Sequence, residues 1–320
     1  MALSEKNQHS ERLALCQYRL FMCKLDNNQE RNYQRAIQFE LFVDRLDEYD
    51  QLDALKDLAN TYRALLRWNK VEEIVEKLKQ KAEFQYKKIL NNDMVHKLSR
   101  PPFTYIAYSY LLLGSVHKHN GDYEKAIQYI QMYADLDWVK DKDEDTLTWK
   151  ENFEKWAKMN VLVTKLSAGD PSVLADYVAY IESNKEEVLL SLINIIEFAN
   201  RYHFNIDDIL QRFEVSSLIT NPKYSNRLYS QQMIEELQAR FNYELAHYYL
   251  NKGQNGVGFW HLIKSLEKSV SINEKHCIIK CIGLFESFRE ISDSGTKLAY
   301  KKFISEVYTN EKKIGSTPVG

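Results

Sequence analysis

His117 and His119 flank Lys118, and Cys277 and Cys281 stand one helical turn apart; these are the pairings whose side chains are suited to metal binding or redox chemistry. Neither completes a ligand set at motif spacing, since zinc needs four nitrogen or sulfur donors, or three and an open position. His247 and His261 stand alone and read as wall or packing residues. The run Lys140-Asp141-Lys142-Asp143-Glu144-Asp145 lacks the glycine and late glutamate of a calcium loop, so it reads as a solvated connector. No GxSxG, phosphate loop or HExxH occurs. The expectation is a protein that is not an enzyme, carries no cofactor and no metal, and works by recognition.

Elements able to position recognition residues follow from composition. Only 5 Pro and 10 Gly interrupt the chain, and period-two apolar alternation is absent, which predicts an all-α protein. Lys+Arg of 43 against Asp+Glu of 45 leave a net charge of -2, without the basic footprint of a nucleic-acid-binding domain. The tight helix pair at 186–213 has the outline of a DNA-reading helix-turn-helix, but Asp207 and Asp208 open its second helix and would repel phosphate. No apolar run approaches the roughly 18 residues of a membrane span, and the first residues are not a signal peptide. Cys16, Cys23, Cys277 and Cys281 form no CxxC and read as reduced, buried thiols of a cytoplasmic protein.

Helix pairs recur along the chain. In 105–139, Leu113 and Gly114 lie in one helix, Asn120-Gly121-Asp122-Tyr123 make the turn, and Ala126 and Ile130 lie in the next. Gly114 and Ala126 are small where two helices must approach, and Tyr123 is the wedge at the corner. Leu58, Ala59, Tyr62, Val71 and Val75 repeat those spacings in 52–90, with Trp68 as the wedge. Leu245, Ala246, Tyr249, Gly253, Gly258 and Leu262 repeat them again in 239–272. This spacing resembles a tetratricopeptide repeat, although His117 replaces an aromatic and Trp138 replaces the helix-ending proline. One such repeat cannot bury its apolar face alone. The resemblance therefore implies a right-handed α-solenoid of about seven helix pairs over 1–308. Residues 216–227 read as a long loop, and 309–320 as a disordered tail.

In such a solenoid the first helix of each pair lines the concave face. That register places Lys56, Asn60 and Arg63, then Tyr108, Ser115, Lys118 and His119, then Arg240, Tyr243 and His247 on the groove. A short extended peptide or a protein partner suits this lining, with Asn60 holding backbone amides and the cations holding carboxylates. The segments SERLALCQYRLFMCKL, QLDALKDLANTYRALLRWNKVEEIVEKL, YADLDWVK and SLEKSVSINEKHCIIKCIGLFESFR together resemble the repeat region of helix-turn-helix transcriptional regulators of spore-forming Gram-positive bacteria, similar in layout to peptide-pheromone-sensing regulators. What this implies is a ligand-sensing or protein-binding domain that meets DNA only through a domain not present before Ser10. The alternative is a stand-alone adaptor that sequesters a protein partner. A homodimer is left open, and no membrane is expected.

Overall fold

The computed structural model describes residues 2–26, 28–90, 99–184, 188–214 and 231–315. Among them every regular element is helical: fourteen α-helices, packed in adjacent pairs, and no strand. No helix among the described residues is long and apolar enough to cross a membrane. The loop expected at 216–227 lies outside the described residues. Where the repeat pattern leads to one domain over 1–308, the chain divides into two compact units, Met1–Ala168 and Gly169–Gly320.

The first unit holds α1 (Ala2–Lys24), α2 (Gln29–Glu40), α3 (Glu48–Ala64), α4 (Trp68–Leu90), α5 (Phe103–His119), α6 (Tyr123–Ala134) and α7 (Glu144–Ser167). Each packs on the next in sequence. The reason is visible in the spacing: Leu55, Leu58, Ala59 and Tyr62 of α3, and Val71, Ile74, Val75 and Leu78 of α4, are buried at intervals of three and four residues. The second unit holds α8 (Leu174–Ser183), α9 (Val188–Tyr202), α10 (Asp207–Arg212), α11 (Gln231–Asn251), α12 (Asn255–Ser271), α13 (Lys275–Phe288) and α14 (Ser294–Gly315). Here α11 packs on α9, α12 and α13, and α12 packs on α13 and α14.

The corners between paired helices share one backbone geometry. After α3, α5, α11 and α12 a residue of positive φ follows: Leu66 (φ 55), Gly121 (φ 80), Gly253 (φ 74) and Asn273 (φ 55). In each case the next N–H reaches back five residues, Arg67 to Tyr62 O, Asp122 to His117 O, Gln254 to Tyr249 O and Glu274 to Ser269 O, at 2.9 Å. This left-handed cap satisfies a carbonyl that the helix leaves unpaired. Glycine takes the conformation at no steric cost, whereas Leu66 does not. Leu66 is half exposed, so little packing rests on it. Leu66→Gly is therefore expected to raise stability by roughly 0.5–1 kcal/mol in urea melts, the relief of strain exceeding the entropy cost of glycine.

Helix starts lie earlier than apolar periodicity alone predicts. The helix expected from Leu52 begins at Glu48, because Asp47 accepts from the N–H groups of Tyr49 and Asp50. Likewise α7 begins at Glu144, because Asp143 accepts from the N–H and the hydroxyl of Thr146. Part of the charged connector is thus a cap and a first turn, where acids favour the helix dipole. Helix α2 stops at Glu40 and a 3-10 turn, Val43–Arg45, follows. Leu46 is then extended, which delivers Asp47 to its capping position. The last helix runs to Gly315, into the stretch expected to be a tail.

Candidate functional site

On α3, Asp53, Lys56, Asp57 and Asn60 fall at spacings of three, one and three, hence on one face. Asp47 sets the start of this helix and the buried Leu55–Leu58–Tyr62 stripe sets its rotation. That face is wired to the neighbouring helices by tyrosines. Tyr18 of α1 donates to Asp57 Oδ2 at 2.6 Å, Tyr105 of α5 donates to Asp53 Oδ1 at 2.9 Å, and Tyr108 of α5 donates to Asn60 Oδ1 at 2.6 Å. Ser99 adds a bond to Asp53 Oδ2 at 2.7 Å. Lys56 Nζ stands between Asp53 Oδ1 at 3.2 Å and Asp57 Oδ1 at 3.3 Å.

Burial pushes the Asp53 carboxyl up, but the hydrogen bonds from Ser99 and Tyr105 and the charge of Lys56 outweigh it, so the group stays below its ordinary value and is ionised at neutral pH. Asp50 lies above its ordinary value, first because it is buried and then because Asp47 and Asp53 repel its charge. Burial and the bond to Asp57 raise Tyr18, and burial raises Tyr105, so both phenols stay protonated donors. The expected basic lining is therefore offset: Lys56 already holds two of the chain's own carboxylates.

The remaining residues expected on this face differ in their engagement. The Arg63 side chain is exposed and makes no ion pair or hydrogen bond with a described residue. Ser115 spends its hydroxyl on Leu111 O at 3.0 Å. Lys118 is half-buried. His119 stacks on Trp68 with ring centroids 4.6 Å apart, and burial lowers its pKa, so the imidazole is neutral at pH 7. Its neighbour His117 is a packing residue, stacked on Tyr129 at 5.3 Å. Asn60→Ala and Tyr108→Phe are expected to couple by about 0.5–1.5 kcal/mol in a double-mutant stability cycle, the net worth of one hydrogen bond. Strict additivity would show the two side chains to be independent.

Arg240, Tyr243 and His247 lie in the second unit, on one face of α11, and surround a residue that apolar periodicity passes over. Glu244 is 5% exposed and sits in phase with buried Phe241 and Tyr248. Its Oε2 accepts from Asn200 Nδ2 of α9 at 3.0 Å, while Lys280 Nζ of α13 stands 3.8 Å from Oε1, beyond hydrogen-bonding reach. Asn200 Oδ1 is buried with no partner among the described residues. Burial, then repulsion from Glu197, pushes the Glu244 carboxyl up to about 7. Arg240 is committed to Glu197, with Nε 3.1 Å from Oε1. Tyr243 carries Lys280 over its ring at 5.1 Å, and burial pushes its phenol up to about 12. His247 is half-buried, and burial, Lys280 and His203 all lower its pKa.

The other chemical pairings serve packing. His261 is buried and held at about 4 by desolvation, with Nδ1 2.9 Å from Asn242 Oδ1 and its ring stacked on Tyr249. Ser265 donates to Ala239 O at 2.8 Å, so its oxygen is left to accept from Cys277 Sγ at 3.4 Å and Cys281 Sγ at 3.2 Å. Those two thiols are buried as expected, but Cys16 and Cys23 are exposed. They are exposed because α1 turns Ala14 and Phe21 to the core, and residues 16 and 23 fall on another side of the helix. Among the described residues no group of three or more His, Cys, Asp or Glu is arranged to hold a metal ion. No protein-family model, curated protein or solved structure matches the chain.

Proposed function

We propose that this chain is the ligand-sensing, protein-binding domain of a transcriptional regulator, a solenoid of tetratricopeptide-like helix pairs that takes a short extended peptide or a partner-protein segment on the face of its first helices. The observation that carries the reading is the hydrogen-bonded polar face shared by α1, α3 and α5. Tyr18, Tyr105 and Tyr108 reach across from neighbouring first helices to Asp57, Asp53 and Asn60. A polar face whose side chains are fixed in advance loses little rotamer entropy when a ligand docks. The common corner geometry after α3, α5, α11 and α12 supports the repeat reading, since helix pairs joined by one turn type stack in one manner.

In this role Tyr108 fixes the Asn60 amide so that its N–H donors meet ligand carbonyls, and Arg63 supplies the cation for a ligand carboxylate. Titration calorimetry with synthetic five- to seven-residue peptides bearing free carboxyl termini tests it. Arg63→Ala is expected to weaken a bound peptide by roughly 1–3 kcal/mol, the scale of a lost charge-assisted bond. Its melting midpoint should not move, because Arg63 is exposed. Full affinity in Arg63→Ala and in Asn60→Ala together would remove this face from the binding site.

A further inference from the structure

Helix α1 is apolar on two sides, and the fold uses one of them. Ala14 and Phe21 are buried and Tyr18 is half-buried, which fixes the inward face. Leu13, Cys16, Leu20 and Cys23 follow one another at spacings of three, four and three, the seam of a two-helix coiled coil. They lie within a quarter turn of one another on the side away from Ala14 and Phe21. Leu13 is 47% exposed, Leu20 is 45% exposed, and both thiols are exposed. A soluble helix normally turns one apolar stripe inward and a charged face outward.

The flanks of this seam choose the occupant. Arg12 and Arg19 run along one side and Lys24 stands on the other, all exposed and none ion-paired with a described residue. Among the described residues Glu11 is exposed but lies off the seam, toward the side of α1 that carries Tyr18, and Asp50, which lies close enough to Arg19 to feel its charge, is half-buried on α3. A second copy of α1 would bring these cations against each other at the flanking positions in either direction of pairing, and like charges there disfavour association. An acidic partner removes that conflict and gains from it.

We infer that the outer face of α1 is a docking surface for an amphipathic helix of another protein, one with leucine-type residues along its seam and glutamate or aspartate beside them. The partner lays its apolar stripe between Leu13 and Leu20 and over the two thiols, while its carboxylates meet Arg12, Arg19 and Lys24. This surface is separate from the peptide-binding face proposed above and does not depend on it.

The probe is a fluorescein-labelled synthetic helix of three heptads with Leu at both seam positions and Glu at both flanking positions, compared with the same peptide carrying Lys at the flanks. Fluorescence anisotropy on the full chain is expected to show the acidic probe binding at least 10-fold tighter than the basic one, with affinity falling as salt rises. Leu20→Asp, at an exposed position, should abolish binding while leaving the melting midpoint unchanged. Arg12→Glu with Arg19→Glu should reverse the preference between the probes. Saturating acidic probe should slow maleimide labelling of Cys16 and Cys23. Equal binding of both probes, unaltered binding by Leu20→Asp, or unprotected thiols would overturn the assignment. A chain that sediments as a dimer and becomes monomeric with Leu20→Asp would assign the face to a second copy, and binding of the chain to anionic phospholipid vesicles lost in Leu20→Asp would assign it to a lipid surface; either result overturns the acidic-helix partner.

Discussion

Replacing Glu244 with glutamine is expected to stabilise the protein by roughly 1–3 kcal/mol at pH 8 and by almost nothing at pH 4. Glutamine keeps the acceptor that Asn200 Nδ2 uses and replaces the other carboxylate oxygen with a neutral amide group, which removes the charge. The sign follows from the folded pKa of about 7, raised by burial above the ordinary glutamate value of 4.5. The unfolded chain therefore loses the Glu244 proton first as pH rises. Stability from this group is fullest below the unfolded pKa, declines through the window between the two values, and stays low above the folded one. The net shift, which already includes the weak opposing pull of Lys280 from 3.8 Å, is worth about 3 kcal/mol. Urea melts of the two proteins across that window isolate the group, because every other titration cancels in the difference. A pH-independent difference would show that Glu244 is ionised throughout.

The second large effect concerns where helices touch. Gly258 of α12 is buried against α11, and a Cβ there would meet Leu250 Cγ at 2.7 Å, Cδ2 at 2.9 Å and the backbone N at 3.0 Å. Leu250 could move its side chain but not its backbone. Gly258→Ala should cost roughly 1–3 kcal/mol of overpacking, more than the ~1 kcal/mol that alanine gains over glycine in a helix. Gly114 is the control. A Cβ there meets Ala126 O at 3.4 Å and Tyr129 Cβ at 3.5 Å, close to ordinary contact. Gly114→Ala should be neutral or slightly stabilising, whereas Gly114→Leu should cost a similar 1–3 kcal/mol. Equal melting midpoints for Gly258→Ala and wild type would show that α11 and α12 are less tightly apposed than described.

These two glycines also show what the sequence makes legible. Apolar periodicity is a property of each helix alone, so helix identity and the pairing of α3 with α4, α5 with α6 and α11 with α12 follow from it. The small residues Gly114, Ala126 and Gly258 mark close approaches for the same reason. Which approach is tightest depends on the neighbour's rotamer and is not written in spacing. Helix starts were readable from Asp47 and Asp143, polar caps directly before acidic first turns, but apolar runs draw attention past them.

The candidate face is legible to a lesser degree. Register alone put Lys56, Asn60 and Tyr108 together, and Tyr108 does bond Asn60. It did not show that Lys56 is held by Asp53 and Asp57, because ion pairing depends on which acids share the face. Glu244 had a sequence signal, an acid in the phase of Phe241 and Tyr248, and an acid in a core phase deserves weight. Asn200 and Lys280 had none, since they meet Glu244 only through the packing of α9 and α13 on α11.

Amide hydrogen exchange of the full chain, with and without a peptide that binds by calorimetry, tests the central claim most directly. Ligand on the polar face should slow exchange along α3 and α5, above all around Asn60, Arg63 and Tyr108, and Arg63→Ala should diminish that protection. Protection that leaves α3 and α5 unchanged while the peptide binds tightly would contradict the account.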